Sequence, residues 1–298
     1  MKTQQTIAYF LHKSSHAFVI NISLMLSTFA MLSAQATEFD HQYTQYNTLL
    51  QSVVQVSENH QQTRVNYQEL STQSTSLNKV LMPISQVTKT QYDSWNNKQQ
   101  LSFLINAYNA FTLKLIVNNW DEFKQGDAKS IRDLGNFFTN PWEQKFFTLL
   151  DKTQNLDNIE HKMIRKWFKQ PSIHAALVCA AVSCPPLRNE AFTAKKLDEQ
   201  LNSQMNLFLA DNTRNEIIIN NDNSSAEASI SSIFKWYRGD FEKGDSGFNS
   251  LYDLLSAHTN AIVLGDSNQL EQRNFLKQVD YPITFKEYDW RLNDVANF

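Results

Sequence analysis

The longest hydrophobic pattern in the chain runs from Leu101 to Trp120, where apolar side chains recur at helical spacing and polar ones are few. Such a segment is typical of a helix buried on most of its surface. The same spacing predicts helices within Phe39–Val56, over Leu197–Leu209 and over Phe248–His258. The hydrophobic pattern therefore predicts a fold that consists mostly of helices.

Short apolar runs between these helices predict a few strands. Phe146–Leu150 and Arg214–Ile219 are rich in aromatic or β-branched residues, as strands are. Ile173–Val182 is apolar at most positions and is expected to form a buried strand or a buried helix. We therefore expect an α+β fold, a single helix-rich domain around a small β-sheet.

One further helix is predicted by its start signal. Asp157 and Glu160 have the spacing of a capping box, in which the first side chain caps the helix and the second reaches back to the cap. An amphipathic helix over Ile159–Phe168 would follow, and Pro171 would end it.

The first 36 residues have the pattern of an export signal. Lys2 and Lys13 precede an apolar stretch over 17–32, which gives way to an A-x-A pattern at residues 34–36. That stretch is shorter than the roughly 20 residues of a membrane-spanning helix, which favours cleavage after residue 36 over a retained anchor. We expect residues 37–298 to form a single periplasmic or secreted domain with no membrane span.

Composition excludes several classes of function. The chain has 298 residues, 27 Lys and Arg against 30 Asp and Glu, and a net charge of −3. No excess of positive charge is present, although a nucleic-acid surface requires one. There are 6 glycines and no glycine-rich phosphate-binding motif. We expect neither a nucleic-acid partner nor a cofactor, and a small molecule, a peptide or a protein remains as the ligand.

Cys179 and Cys184 are the only cysteines. A disulfide is the first expectation in an oxidising compartment, and it requires residues 180–183 to turn so that the two Cα atoms approach within roughly 7 Å. A zinc site would need further cysteine or histidine ligands nearby. The spacing does not distinguish a disulfide from a free, reactive thiol.

Five segments, in this order, resemble the domain of unknown function 547 family of bacteria and plants. They are LSFLINAYNA at 101–110, DNIEH at 157–161 with Arg165, HAALVCAAVSCP at 174–185, SIFKWYRGDF at 232–241 and YDWRLN at 288–293. The chain departs from the family pattern at Leu104, where Trp is usual, and at Ala180, where Gly is common. The resemblance covers residues 39–294, and together with the export signal it suggests an exported bacterial member of the family. It implies no reaction, since no activity is established for the family.

The candidate catalytic residues are Cys179, His161, Asn106 and Asn109. A thiol becomes nucleophilic when a nearby imidazole lowers its pKa. In a regular strand or helix, side chains five residues apart do not face each other, so His174 is disfavoured as that imidazole and His161 is preferred. Either asparagine could orient the imidazole or line an oxyanion site; the alternative is that both amides bond to backbone within the core.

The candidate binding residues surround these. Glu160, Arg165 and His174 lie close to the cysteines in sequence, and Lys235, Trp236, Tyr237 and Asp240 combine charge with aromatic surface. Each also has a structural interpretation. Glu160 could cap its helix, Arg165 could pair with it, and His174 could be a core histidine bonded to backbone.

Two hypotheses of different classes follow. The first is a thiol-dependent hydrolase or transferase acting on an amide or thioester. The second is a non-catalytic ligand-binding or assembly module with a structural cysteine pair. A metal site through His161, His174 and Glu160 is a third alternative, although we expect no resident metal.

Overall fold

The computed structural model describes residues 38–135, 139–219, 226–243, 248–263 and 269–297. The predicted signal peptide lies outside the described residues, so export stays a prediction. Residues Phe39–Phe298 form one compact unit. Within the described ranges, no helix has the length and apolar character that crossing a membrane requires.

Helices dominate the structure, as predicted. Those of the first half are α1 (Thr44–Val53), α2 (Tyr67–Thr72), α3 (Ser74–Gln86), α4 (Lys89–Asp93), α5 (Asn97–Asn118) and α6 (Trp120–Gln125). A π-helical segment (Asn158–Ile164) continues into α7 (Arg165–Trp167). The others are α8 (Leu197–Ala210), α9 (Ser232–Trp236), α10 (Arg238–Phe241), α11 (Leu251–Ala257), α12 (Thr259–Ile262) and α13 (Gln269–Phe275).

The strands form three small sheets. β1 (Val54–Val56) pairs with β2 (Thr63–Val65), and β3 (Phe147–Leu149) pairs with β4 (Lys152–Gln154), both antiparallel. The third sheet has the order β5 (Glu216–Ile219), β6 (Ala226–Ser231), β7 (Ile283–Lys286), with β5 antiparallel and β7 parallel to β6. The predicted α+β class, rich in helix with little sheet, is confirmed.

Helix α5 is the centre of the first hydrophobic core. Asn96 and Gln99 form the capping box that starts it, and its residues from Leu101 to Leu113 are buried without interruption. α2, α3 and the π-helical segment pack against it. The predicted buried helix is confirmed, and the all-round burial explains why its sequence has no polar face.

A second core joins α8 and α11 to one face of the three-stranded sheet. Tyr288, in the segment after β7, packs against both cores. This C-terminal segment also pairs with the loop that contains the cysteines, since Val182 N–H donates to Arg291 O at 2.8 Å and Asn293 N–H donates to Ala180 O at 3.0 Å. The end of the chain is thereby held against residues more than a hundred positions earlier.

Two local predictions were wrong. Ile173–Val182 forms neither a strand nor a long helix: Pro171–Ala175 is a 3₁₀ turn, and the chain after it is irregular. Neither strand alternation nor helical rotation therefore keeps the side chains of His174 and Cys179 apart. The predicted capping box at Asp157 is also absent, because Asn155 caps this helix two residues earlier by accepting from Asn158 N–H at 2.8 Å.

Candidate functional site

A cleft of about 200 Å³ lies where the two hydrophobic cores meet. The first core supplies Leu177 and Cys179 to its wall, and the second supplies Ile233 and Tyr237. The complete lining is Tyr108, Asn140, Trp142, Asp157, Glu160, His161, His174, Leu177, Cys179, Pro185, Ile233, Trp236, Tyr237, Tyr288 and Trp290. The cleft thus collects half of the candidate residues from the sequence: Glu160, His161, His174, Cys179, Trp236 and Tyr237.

The π-helical segment supplies the acidic side of the cleft. With Asn155 as the cap, Asp157 does not cap this helix, and Asp157, Glu160 and His161 all line the cleft. Segments of π-helix are rare and occur frequently at functional sites. The local geometry therefore places three titratable side chains on the same wall.

Asn109 holds the segment that contains His174 and Cys179. Its amide donates to Ala176 O at 2.9 Å and accepts from Val178 N–H at 3.0 Å. An irregular backbone has no ladder of its own to satisfy its polar groups, so a buried side chain must do it. Asn109 therefore positions the residues of the cleft from behind.

Asn106 makes the same kind of pair one helical turn earlier. It donates to Phe192 O at 2.7 Å and accepts from Phe192 N–H at 2.9 Å. Neither Asn106 nor Asn109 lines the cleft. The backbone-bonding alternative for these asparagines accounts for both amides, and no contact in the described residues supports an oxyanion role.

His174 and Asp240 form a buried pair at the edge of the cleft. Nε2 of His174 lies 2.9 Å from Asp240 Oδ2, and the imidazole stacks on the Tyr237 ring with centroids 3.8 Å apart. Asp240 also accepts a 2.5 Å bond from Arg165 Nε. The permanent charge of Arg165 keeps Asp240 anionic. Hydrogen bonds from His174 and Arg165 lower the pKa of Asp240, although burial opposes them.

The proton of His174 is fixed by these contacts. Burial lowers the pKa of His174, and the bond to Asp240 only partly offsets this. The imidazole is therefore neutral near pH 7, with its proton on Nε2, facing the carboxylate. Nδ1 has no protein partner among the residues that the structure describes, and His174 lines the cleft. This nitrogen carries a lone pair that can accept a proton.

His161 is engaged differently. Arg165 Nη1 lies 2.8 Å from His161 Nδ1, and because a guanidinium only donates, Nδ1 is the acceptor. The proton of a neutral His161 is then on Nε2, which lies 3.5 Å from Asp157 Oδ1. Both nitrogens of His161 already have protein partners, so it is less free than His174 to take a proton from a substrate or thiol.

Glu160 neither caps its helix nor pairs with Arg165. It accepts a 2.6 Å bond from the Tyr237 hydroxyl and is buried to 7% exposure. Burial and the negative charge of Glu160 raise the pKa values of Tyr237 and Tyr108. Both phenols therefore stay protonated at neutral pH, and the Tyr237 hydroxyl donates its hydrogen to Glu160.

The sulfurs of Cys179 and Cys184 are joined in a disulfide, with the Cα atoms 6.1 Å apart. Of the two alternatives that the spacing left open, the structure has the bonded one. The turn that this requires is made at Ala180, which has a φ of 60°. Cys179 lines the cleft and is partly exposed, whereas Cys184 is 1% exposed.

An aromatic surface closes the other side of the cleft. Trp236 is 48% exposed and stacks on Trp290, with ring centroids 5.8 Å apart. Tyr288 packs against both rings, and Trp142 contacts Trp290 edge to face. Exposed, layered aromatic rings can hold the apolar faces of a ligand.

Lys235 is the candidate binding residue that lies away from the cleft. It is exposed and its ammonium is 6.0 Å from the centre of the Phe285 ring. Arg165 and Asp240 do not line the cleft either, but they contact His161 and His174, which do. The third alternative, a metal site, has no support in the described ranges, where no His, Cys, Asp and Glu side chains form a suitable group.

Sequence reasoning did not select Tyr108, Trp142 and Tyr288 as site residues. Tyr108 lies inside the apolar pattern of α5 and looks like a core residue. Tyr288 belongs to the YDWRLN segment, one of the five that resemble the family, and this was the signal in the sequence that could have identified it. The Tyr288 hydroxyl lies 3.2 Å from Cys179 Sγ and 3.3 Å from Cys184 Sγ.

Comparison with known proteins agrees with the family resemblance. Residues 92–209 match the family described as "Protein of unknown function, DUF547". This part of the chain belongs to the DUF547 family. The match contains α5, the π-helical segment and both cysteines, whereas Tyr237, Asp240 and Tyr288 lie beyond it. No curated protein and no solved structure matches the chain, so the family name is accompanied by no activity.

Proposed function

We propose that this DUF547 protein is a thiol-dependent hydrolase or transferase that acts on an amide or a thioester. In the reduced protein, Cys179 is the nucleophile, His174 is the base and Asp240 orients the imidazole. The observation that carries the proposal is the His174–Asp240 pair, since it leaves Nδ1 of His174 without a partner among the described residues, in a cleft that Cys179 also lines.

The division of roles follows the logic of other nucleophile–base–carboxylate sites. A carboxylate on one imidazole nitrogen fixes the tautomer, and the opposite nitrogen accepts the proton of the nucleophile. His174 fits this role better than His161, whose Nδ1 accepts from Arg165. Arg165 contributes indirectly, because it keeps Asp240 anionic.

The proposed reaction has two balanced steps. The thiol proton of Cys179 passes to Nδ1 of His174, the sulfur attacks the carbonyl carbon, and the amine or thiol of the substrate leaves with that proton. Water or a second nucleophile then attacks the acyl group on Cys179, which releases the product and restores the thiol. The aromatic surface at Trp236 and Trp290 would hold the substrate.

The test uses purified protein after reduction with a mild dithiol. Thioester and amide substrates with chromogenic leaving groups are compared for wild type, Cys179→Ala and His174→Gln. We expect turnover by the reduced wild type, none by Cys179→Ala, and a loss of about 100-fold or more in His174→Gln. His258→Gln is the matched control, because His258 is half-buried, bonds Asn206 and lies outside the cleft. A disulfide that resists mild reductant would refute the proposal, and so would activity that survives in Cys179→Ala.

The second candidate function is a non-catalytic ligand-binding or assembly module with a structural cysteine pair. It is favoured by the bonded sulfurs and by the exposed rings of Trp236 and Trp290. It predicts that Cys179→Ala and His161→Ala change stability but leave ligand affinity intact, whereas Trp236→Ala weakens binding. Titration of small peptides and glycans against the tryptophan fluorescence of these variants distinguishes it from the enzyme.

We also propose that the chain is exported and that residues 1–36 are removed. The A-x-A pattern at residues 34–36 and the disulfide support this. Sequencing the N-terminus of protein recovered from the periplasm or the medium tests it, with residue 37 expected first. An N-terminus at Met1 in a membrane fraction would contradict it.

A further inference from the structure

The two sulfurs of the Cys179–Cys184 disulfide are in different surroundings. Cys179 faces the cleft, where a ligand of moderate size could reach it, whereas Cys184 is 1% exposed and does not line the cleft. An attacking thiolate must approach one sulfur along the S–S axis, so access decides which sulfur is attacked. Cys179 is the accessible sulfur.

The buried sulfur is surrounded by hydrogen-bond donors. Cys184 Sγ accepts from the backbone N–H of Cys179 at 3.0 Å and from that of Ala181 at 3.3 Å. These two N–H groups flank Ala180, whose left-handed φ of 60° turns them toward the same point. Alternating backbone conformations of this kind create concavities that bind anions. The environment of Cys184 thus favours a thiolate over a neutral thiol.

Tyr288 adds a third donor. Since disulfide sulfurs carry no hydrogen, the Tyr288 hydroxyl is the donor in its contacts with both Cys184 and Cys179. Burial raises the pKa of Tyr288, so this hydroxyl keeps its proton at neutral pH. A structural disulfide needs no donors on one of its sulfurs, whereas a leaving group benefits from them, because thiols of lower pKa leave faster.

We propose that the Cys179–Cys184 disulfide undergoes thiol–disulfide exchange with a dithiol substrate. A substrate thiolate bonds to Cys179 Sγ, the S–S bond breaks, and the electron pair leaves on Cys184 Sγ. The second substrate thiolate then attacks the substrate sulfur of this mixed disulfide and releases Cys179. The substrate loses two electrons and two protons and becomes a disulfide, and the cysteine pair gains both and becomes a dithiol.

The first test measures the wild-type protein in buffers of reduced and oxidised glutathione. After equilibration, free thiols are alkylated and counted by mass spectrometry. We expect the pair to pass from fully oxidised to fully reduced as the glutathione ratio is varied, while circular dichroism shows that the protein stays folded. A pair that stays oxidised at every ratio until the protein unfolds is a structural disulfide and overturns the proposal.

The second test identifies the attacked sulfur. Cys184→Ser retains only Cys179 and is expected to form a mixed disulfide with oxidised glutathione, while Cys179→Ser retains only the buried Cys184 and is expected to react at least tenfold more slowly. Equal reactivity of the two, with both variants folded, contradicts the asymmetry. Folding is checked by circular dichroism, and the wild-type titration remains decisive if either variant fails to fold.

The third test removes one donor. Tyr288→Phe keeps the ring but loses the hydroxyl, and we expect reduction by dithiothreitol to slow by about three- to tenfold, since a hydrogen bond to a charged group is lost. Tyr252→Phe is the matched control, because the Tyr252 hydroxyl donates to Tyr281 O, away from the sulfurs. An unchanged rate in Tyr288→Phe would remove Tyr288 from the exchange site. A disulfide that cannot be reduced in the folded protein overturns both proposals. If the pair is reducible, the two are separated, because these assays contain no acyl substrate: exchange without acyl turnover overturns only the proposed hydrolase or transferase activity.

Discussion

The amide of Asn109 is predicted to stabilise the fold rather than take part in the reaction. The perturbation is Asn109→Ala, which removes the donor to Ala176 O and the acceptor for Val178 N–H. Both backbone groups belong to buried residues, with Ala176 at 1% and Val178 at 4% exposure. The substitution removes the side-chain partner of both groups at once.

The magnitude follows from those two groups. Each buried polar group without a partner costs about 1–3 kcal/mol, and the space left by the amide adds roughly 1 kcal/mol. We therefore expect the free energy of unfolding to fall by about 3–5 kcal/mol, a large part of the 5–15 kcal/mol that is typical of a domain. The structural change should be confined to the segment around Ala176 and Val178, since Asn106 holds a different segment, at Phe192.

Urea denaturation followed by circular dichroism measures this change as a shift in midpoint at constant slope. Asn78→Ala is the control, since Asn78 is exposed on α3 and its amide oxygen accepts an exposed 3.3 Å bond from Lys114 Nζ. It should change stability by less than about 0.5 kcal/mol. A loss below about 1 kcal/mol in Asn109→Ala would refute the reasoning. If activity disappeared without such a loss, the catalytic hypothesis for Asn109 would be the correct one.

Three further predictions concern the cleft and its loop. Asp240→Asn should lower the free energy of unfolding by about 1–3 kcal/mol, because Arg165 and His174 lose their shared anion; Asp121→Asn, in an exposed pair, should cost under about 0.5 kcal/mol in the same urea assay. Burial lowers the pKa of His174 in the folded protein, so below about pH 6.5 the unfolded chain binds more protons than the folded one. The free energy of unfolding should therefore decrease as the pH is lowered, by up to about 1.4 kcal/mol per pH unit. A pH series on His174→Gln, in which this slope does not become smaller, would contradict that assignment. Ala180→Gly should raise the thermal midpoint by an amount equivalent to about 0.5–1 kcal/mol, because glycine adopts a φ of 60° without strain; a lower midpoint would contradict it.

Elements with a strong local signal were predicted well from the sequence. The apolar run from Leu101 became α5 because burial on all sides is compatible with only a few structures, and Leu197–Leu209 became α8 for its helical spacing. The strand predicted over Arg214–Ile219 appears as β5, which begins two residues later. In each case the information lies within one element.

The segment from Ile173 to Val182 shows where local reasoning fails. Its apolar composition predicted a regular element, but its backbone bonds to the amide of Asn109 and to the C-terminal segment instead of to itself. An apolar pattern predicts that the segment is buried, but it does not predict which groups hydrogen-bond to its backbone N–H and C=O groups. The choice of His161 over His174 as the base depended on that mistaken regularity.

The sequence alone determined the residue types, the family and the positions of the main helices, because periodicity and capping act over a few neighbouring residues. Only the tertiary structure decided how those residues are used. The Asp240 that hydrogen-bonds His174 is 66 positions away from it, and the Tyr288 that touches Cys179 is 109 positions away. Such contacts depend on how the two cores pack against each other. That packing makes one sulfur accessible and buries the other among donors. It also leaves one nitrogen of His174, at the cleft, without a partner in the part of the chain that the structure describes.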